Sequence, residues 1–600
     1  MTAKVRPWAS RLGRYWRTLR PIPPQQHVVR LLQVARKKAW RPLLPTLVGQ
    51  WRQRGAAQAA ALPHDATLAL LRLGTVLAHA PQPAWPGLLS GRFVLGGRDV
   101  AAFPPPRWHS KDLRPLELYE VTYLQWLDAW VAALLQQANR QDLQAAASAL
   151  ADWQAESIAV PAAWEPYPRA RRVLACLTCS ARLQVAGDPL PAFRLALLAE
   201  AAAARAALRW LLEYHLDGNH LLVDRLALAA AALVFGEAHG GATSALAAAK
   251  SECTRQFAPD GSHVEGSPMY HALLLEDMLL VDALQPGLLG EVVPLALGWL
   301  AAIVHPDGLV PAFGDTAPTV LAGLSLVPTR LRTTVSGHPQ PRHSVWCQRT
   351  ADSLVVVHTA PDFAPQPGHS HDDHFSVEWS AIGVRRLADV GLAGYEGDPR
   401  RPWNRSCAAH STVSVAGRPG LEAWSAFRVG DRGVVTTWDS GQEAGWHWFA
   451  GRFVFPAGPT GELWHDRVVL SQSAALVVFD RLGGPAAAAE PAAHVRFLLT
   501  VGDWSTPDLY RHRHTAELPS ATTRILCDRA YLVESSERLP ARDHVEVASD
   551  VVAGVDKFGT VVALLAVNRV VEDQGTVDLQ QARRTAEQIL LRLAGPGALG

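Results

Sequence analysis

The sequence predicts two halves, a helical N-terminal (incomplete) α/α toroid followed by a large antiparallel β-sandwich. Three observations carry this. From about Asp65 to Leu326, Ala- and Leu-rich segments repeat apolar residues at 3.6-residue spacing between short Gly/Pro breaks. The register changes at a Thr-, Pro-, Gly- and His-rich connector, Pro328–Pro341. Beyond it, short β-rich runs bounded by Gly, Pro, Asp and Asn dominate, which argues for antiparallel pairing rather than βαβ units. The implied domains are a basic N-terminal arm at 1–60, a toroid at 61–330 and a sandwich at 340–600.

In chain order, Met1 to Arg41 is basic and Trp-rich, with no apolar core or small-residue cleavage site of a secretory signal. A cytoplasmic location is the expectation. The segment from Arg11 to Arg41 suits an anionic membrane surface, although a solvated helical arm is the commoner outcome. Helices are expected over Leu116–Ala138, Leu143–Ala155, Ala170–Val185, Ala192–Leu216, Leu221–Phe235 and Met269–Leu284. Pairing through short turns gives the toroid. No fixed-period repeat points to a solenoid. Strands are expected over Ser353–Thr359, Phe375–Leu387, Ser411–Val415, Gly433–Thr437, Arg452–Phe455, Arg467–Ser471, Ala475–Phe479, His494–Leu499, Arg524–Cys527 and Thr560–Val567. The two halves would meet in a cleft, the usual place for a long ligand.

Composition excludes more than it selects. The 57 basic and 55 acidic residues nearly balance, so bulk charge does not point to nucleic acid or membrane. No uninterrupted apolar run reaches transmembrane length. The 21 Trp residues suit sugar stacking and buried β-cores equally. Cys176 and Cys179 form a lone CxxC inside a helical stretch, which is neither a zinc knuckle nor a disulfide framework.

The stretch Gly368 to Gly391, GHSHDDHFSVEWSAIGVRRLADVG, concentrates the chemistry. It opens with His369, His371 and His374 and becomes an alternating strand, with a turn at Ile382-Gly383 and a second run ending at Asp389. A polar loop beside an ordinary hairpin is the plain alternative. Downstream, His410 precedes a strand in Arg405-Ser-Cys-Ala-Ala-His410-Ser. His371, Asp389 and His410 supply two imidazoles and a carboxylate, a set that suits Zn²⁺ with one open position. His369 points the same way as His371 on an extended chain and is free to face the cleft.

Two stretches stand out in the helical half. In His215-Leu-Asp-Gly-Asn219-His220, Gly218 reads as a helix stop and Asn219 as the next N-cap. In Pro259-Asp-Gly-Ser-His-Val-Glu-Gly-Ser-Pro-Met-Tyr270-His271, Ser267 reads as N-cap and Pro268 as the first helical residue. Tyr270 then lies in the first turn, where the dipole favours phenolate. Packing is the commoner job of such a Tyr.

The order Asn-His, PDGxxxExSPMYH, PDGxxPxFGD (Pro306 to Asp315), GHxHxD, DxG, AAH resembles the heparinase II/III family of polysaccharide lyases. The motifs span roughly Asp217 to Val413. The resemblance implies an α/α toroid joined to a β-sandwich, cleaving an acidic, uronic-acid-containing polysaccharide or oligosaccharide by β-elimination. It makes Asn219 the group that neutralises the uronate carboxylate, Tyr270 the acid or base at the sugar ring and His369 its partner. His220, His271 and Arg405 are expected at the substrate. His371, Asp389 and His410 become ligands of a largely structural metal, usually zinc. Ser411 departs from the Asn that many relatives carry. The absent signal peptide departs from secreted members, whose compartment would be periplasmic.

Two rival readings accompany it. α/α toroids also carry glycoside hydrolases, for which Asp260, Glu265, Asp307 and Asp315 are available. A non-catalytic exopolysaccharide-binding or assembly protein is the other.

Overall fold

The computed structural model describes residues 7–83, 92–95, 98–101, 113–137, 140–236, 241–334, 343–351, 353–359, 366–392, 394–395, 397–458, 461–472, 475–486, 493–500, 515–517, 523–527, 530–533, 544–551, 560–566 and 579–593. The helical half is built around Pro166–Val185, buried along nearly its whole length. Helices His64–His79, Gln125–Gln136, Pro191–Leu208 and Asn219–Phe235 pack around it. A helix surrounded on all sides has no solvent face for its charges. Its arginines are therefore paired inside. Arg172 Nε donates to Glu200 Oε1 at 3.1 Å, Arg182 Nε to Asp128 Oδ1 at 3.0 Å, and Arg171 bonds Asp277. Cys176 and Cys179 are buried free thiols on the same helix.

Two expected helices differ in detail. Leu116–Ala138 is two helices, Pro115–Tyr123 and Gln125–Gln136, because Leu124 between them takes a left-handed φ of 59°. The Ala192–Leu216 segment stops being helical at Leu208, and the residues after it form irregular backbone leading to Asn219.

Residues 7–60 are not a solvated arm. Helix Leu44–Ala60 buries Leu44, Val48, Trp51 and Ala59. Gly55 lets it approach Pro191–Leu208 closely, since a Cβ there would stand 2.4 Å from the Ala199 carbonyl oxygen. The two helices before it, Pro7–Leu19 and Pro24–Trp40, reach toward the sandwich. Arg14 and Arg17 pair with Glu422 there at 3.0 and 2.9 Å. Trp424 Nε1 donates to Thr18 Oγ1 at 2.9 Å.

Beyond the connector the described residues form two large antiparallel sheets and a separate hairpin, Leu421–Trp424/Arg428–Arg432. One sheet runs Val434–Glu443, Trp446–Val454, Trp464–Gln472, Ala475–Gly483, Thr560–Ala566, Thr523–Cys527, Thr515–Glu517. The other runs Ala530–Val533, His544–Val551, Ala493–Thr500, Val384–Leu387, Val377–Ala381, Leu354–His358, Val345–Arg349, with Val413–Val415 also pairing Ala493–Thr500. Ile382 and Gly383, at φ 54° and 69°, make the expected two-residue turn, which requires positive φ at both positions.

Leu354–His358 is buried at every residue because its sheet is covered on both faces. Val345, Cys347, Leu354 and Val356 pack with the helical half, whereas Trp346, Val355, Val357, Val377 and Trp379 pack with Phe449, Val469 and Val478 of the opposing sheet. The outer face of the first sheet is closed by helix Leu579–Leu593 through Ala582, Ala586, Ile589 and Leu590. The layers are thus helices, sheet, sheet, helix.

Candidate active site

The groups singled out in the sequence meet where the helical half faces the sandwich. Asn219 is the first residue of helix Asn219–Phe235, and Gly218 is the N-cap. The Asn219 side chain therefore does not cap; Glu265 holds it instead. The Asn219 backbone N–H donates to Glu265 Oε1 and its Nδ2 to Oε2, both at 2.9 Å. Gly218 makes this grip possible, since a Cβ there would lie 2.2 Å from Glu265 Oε1.

Tyr270 stands where the cap signals put it, with Ser267 Oγ accepting from its backbone N–H at 3.3 Å and Pro268 opening the helix. Its hydroxyl lies 2.7 Å from that of Tyr395, and its ring is 4.0 Å from the His369 imidazole. The expected help of the helix dipole to a phenolate is overridden. Burial, then the Tyr395 and Asp315 neighbours, hold the Tyr270 phenol well above its ordinary value. The Tyr270 hydroxyl therefore keeps its proton.

His369 comes from the sandwich side, with 16% of its side chain exposed. Its Nδ1 donates to Asp315 Oδ2 at 2.9 Å, which leaves Nε2 as the lone-pair nitrogen. That Nε2 lies 3.5 Å from Asn219 Nδ2. Asp315 also accepts from His371 Nε2 at 2.8 Å and from both Nη atoms of Arg401. Burial alone would raise this carboxyl, but the hydrogen bonds from His369 and His371 and the Arg401 charge hold it well below its usual range.

Asp315, Glu265, Tyr395 and Arg401 are the partners that the sequence did not assign to these roles. Each lies in a stretch with a visible marker: PDGLVPAFGD, PDGSHVEGSP, the turn-rich GYEGD after Asp389, and DPRRPWNR. Arg401 lies over both Tyr395 and Phe427, whose rings stack at 5.4 Å. Phe427 is 44% exposed and offers an aromatic face beside His369.

Of the three expected substrate contacts, His220 alone reaches this region. Its Nδ1 bonds Glu213 Oε2 at 2.8 Å and its half-buried ring lies 4.3 Å from Tyr167. Burial would lower it, but the Glu213 charge and hydrogen bond raise it overall. His271 is fully buried on the opposite side of its helix start, bonded to the Ala296 carbonyl at 3.0 Å and packed on Trp299. One residue on from Tyr270 is a 100° rotation, which turns it into the core. Arg405 is buried too, and donates to the carbonyls of Ser370, Ser425, Ala426 and Arg428. It staples the histidine loop to the Leu421–Trp424/Arg428–Arg432 hairpin and is a structural group.

His371, Asp389 and His410 lie together in the interior. The two imidazoles are 5.3 Å apart, and His410 Nδ1 is 2.8 Å from Asp389 Oδ1. His410 Nε2 bonds the Asn404 carbonyl at 2.9 Å, which orients the ring. His371 Nδ1 is buried without a hydrogen-bond partner, the atom an ion would use. Two imidazoles, a carboxylate and one orphaned ring nitrogen fit a transition metal in donor type. Nearby, Asp372, His374 and Cys407 bring ligand atoms within 4.8 Å of one another. Asp372 accepts from Gly420 N–H, His374 stacks on Phe453 at 3.9 Å with its Nε2 also buried without a hydrogen-bond partner, and Cys407 donates to the Val413 carbonyl.

The four carboxylates available to a hydrolase are also spent. Glu265 holds Asn219, Asp260 accepts from Ser262 and His343, Asp307 pairs with Arg385 and Asp315 anchors the histidines.

Two family signatures match the chain, "Heparinase II/III N-terminus" over residues 162–322 and "Heparinase II/III-like, C-terminal" over residues 345–563. No curated protein matches it in sequence. Among solved structures, it is similar to a heparinase III at 15% identity and TM-score 0.58, covering 85% of this chain and 88% of that one. A further heparinase III gene product matches at 17% identity and TM-score 0.53, over 77% of this chain and 80% of that one. A heparan sulfate lyase HepC mutant from Pedobacter heparinus matches at 16% identity and TM-score 0.51, over 90% of each chain. At such identities these three show a common fold.

Proposed function

We propose that this chain, which belongs to the heparinase II/III-like family of polysaccharide lyases, cleaves a uronic-acid-containing glycan by β-elimination with Asn219, Tyr270 and His369. The observation that supports the residue assignment is the contact of His369 Nδ1 with Asp315 Oδ2 at 2.9 Å, which turns Nε2 toward Asn219. With Nδ1–H given to Asp315, Nε2 keeps its lone pair beside Asn219 and the Tyr270 ring. Removing the proton alpha to a carboxylate piles charge onto that group, so a donor must meet it there. Asn219 Nδ2 has one N–H on Glu265 and a second on the His369 side.

The steps then balance. His369 Nε2 takes the C5 proton, and the Asn219 amide stabilises the carboxylate as it gains electron density. The C5 electron pair forms the C4–C5 double bond, and the C4–O4 bond breaks. Tyr270, held neutral, gives its proton to the departing O4, and Tyr395 can resupply it across 2.7 Å. His220, paired with Glu213, lies farther along the helical wall, where its ring edge can meet a polar group of the ligand.

The test is incubation with a panel of acidic glycans, read for the ultraviolet absorbance of an unsaturated uronate. Hydrolysis leaves no double bond, so reducing ends without absorbance would overturn the proposal. Binding without turnover across the uronate panel would turn it toward a glycan-binding role.

The metal belongs to the same proposal. His371, Asp389 and His410 would hold one zinc ion, which would tie the histidine loop to the strand ends and add positive charge behind Asp315. His371→Ala is expected to lower zinc content, measured by elemental analysis, together with the melting temperature. Undiminished zinc in that variant would remove His371 from the ligand set. Location is proposed as cytoplasmic, and fractionation of the native host tests it against a periplasmic alternative.

A further inference from the structure

Helix Pro24–Trp40 is inverted. Its buried residues are Gln26 and Gln33, and its outward face carries Val28, Leu31, Leu32 and Val34, with Leu31 72% exposed. On the polar side, Gln26 Nε2 donates to Asp217 Oδ2 at 2.7 Å, Gln366 Nε2 to Gln26 Oε1 at 3.0 Å, and Lys37 pairs with Glu165, whereas Gln33 Nε2 is buried without a hydrogen-bond partner. Helix Pro7–Leu19 repeats the arrangement. Arg14 and Arg17 bind Glu422, and Arg17 also Asp431, while Leu12 and Trp16 are 60% and 66% exposed. Large apolar side chains thus point outward on two successive helices, more than scattered single exposures would leave.

Charge decides what covers them. The first 64 residues hold thirteen Lys and Arg and no Asp or Glu, and Arg20, Arg30, Arg36 and Lys38 are exposed among the apolar groups. The partner must be anionic and apolar at once. A soluble acidic glycan satisfies the arginines but has no use for Leu31, Leu32 and Trp16. A bilayer with anionic headgroups satisfies both, with Trp at the headgroup level and Leu below it. Among the described residues no helix is long and apolar enough to cross a membrane.

We propose that helices Pro7–Leu19 and Pro24–Trp40 form a docking surface for an anionic lipid bilayer, on which the chain lies. Glutamines and arginines hold the helices to the body of the protein, so the apolar face is presented ready-made, without a folding transition. The active-site proposal is independent of this one.

The test is co-sedimentation of the full chain with vesicles of phosphatidylcholine alone and of phosphatidylcholine mixed with phosphatidylglycerol. Binding to the mixed vesicles is expected to be at least about tenfold tighter and to weaken with salt. The triple variant Trp16→Ser, Leu31→Ser, Leu32→Ser changes exposed side chains and keeps every charge. It is expected to retain the wild-type melting temperature and to lose about tenfold or more in binding to the mixed vesicles. Binding that this variant keeps in full would overturn the proposal in favour of a general polyanion surface. No binding to either vesicle would overturn it too, as would self-association that the triple variant abolishes, which would assign the face to a second copy of the chain.

Discussion

The two walls of the active site are built by opposite means. On the helical wall, Asn219 and Tyr270 stand in the first turns of seventeen-residue packed helices, with Glu265 holding the Asn219 amide and Ser267 capping the turn of Tyr270. On the sandwich wall, His369 and Tyr395 lie outside regular strands, and a single carboxylate, Asp315, collects His369, His371 and Arg401. A site on helix starts tolerates the loss of one partner. A site on loops gathered by one charge does not.

The sharpest way to break this contrast is Asp315→Ala. It leaves the buried Arg401 guanidinium without its partner and frees both imidazoles. Removing one member of a buried pair costs about 3–5 kcal/mol, more than any single change expected on the helical wall. The melting temperature should fall steeply and turnover should vanish with it. A variant melting within a degree or so of the wild type would mean that the loop is held by its backbone instead.

Tyr270→Phe has the next largest effect, and it separates chemistry from support. Only a hydroxyl is lost, and the helix that carries it is unaffected, so melting should be nearly unchanged. The rate of unsaturated-product formation should drop about a hundredfold or more. Tyr395→Phe should cost less, about tenfold, because it removes a hydrogen bond to the acid and not the acid. If the two losses were equal, the hydroxyl pair would have to be treated as one donor.

The helical wall was the legible one. Ser267-Pro268 announces a helix start, and that alone places Tyr270; Asn219 was put at the right turn but one position off, as cap instead of first residue. The sandwich was legible as strands, down to the Ile382-Gly383 turn, because turn residues and alternation are local signals. Leu354–His358 shows no alternation because both faces are covered, a consequence of docking on the helices that no local pattern reports. Asp315 as the anchor was out of reach for the same reason, lying 54 residues from His369. Arg405 and Arg401 are four residues apart in one basic stretch, and composition cannot say which of them turns toward the carboxylate. Helix Pro7–Leu19 misled because its placement follows partners on the other half, Glu422 and Trp424, rather than its own hydrophobic pattern.

The smallest expected effect compares two histidines at the two helix starts, His220 and His271, both expected at the substrate. They titrate in opposite senses. Burial pushes His271 down to about 3, against the hydrogen bond to Ala296 and beside His263 and Asp260, whereas Glu213 raises His220 over the opposing effect of burial. The folded state therefore binds fewer protons at His271 than the unfolded chain does. Its contribution is complete above the unfolded value near 6.5 and is lost as pH falls toward 3. At His220 the folded state binds more protons, so its contribution is complete below about 6.5 and is lost as pH rises through the raised value. The melting-temperature gap between wild type and His271→Leu should move in favour of the variant between pH 7 and pH 4.5, by about two to four degrees. The gap to His220→Gln should widen over the same change. Parallel gaps for the two variants would show that neither imidazole changes its charge on folding.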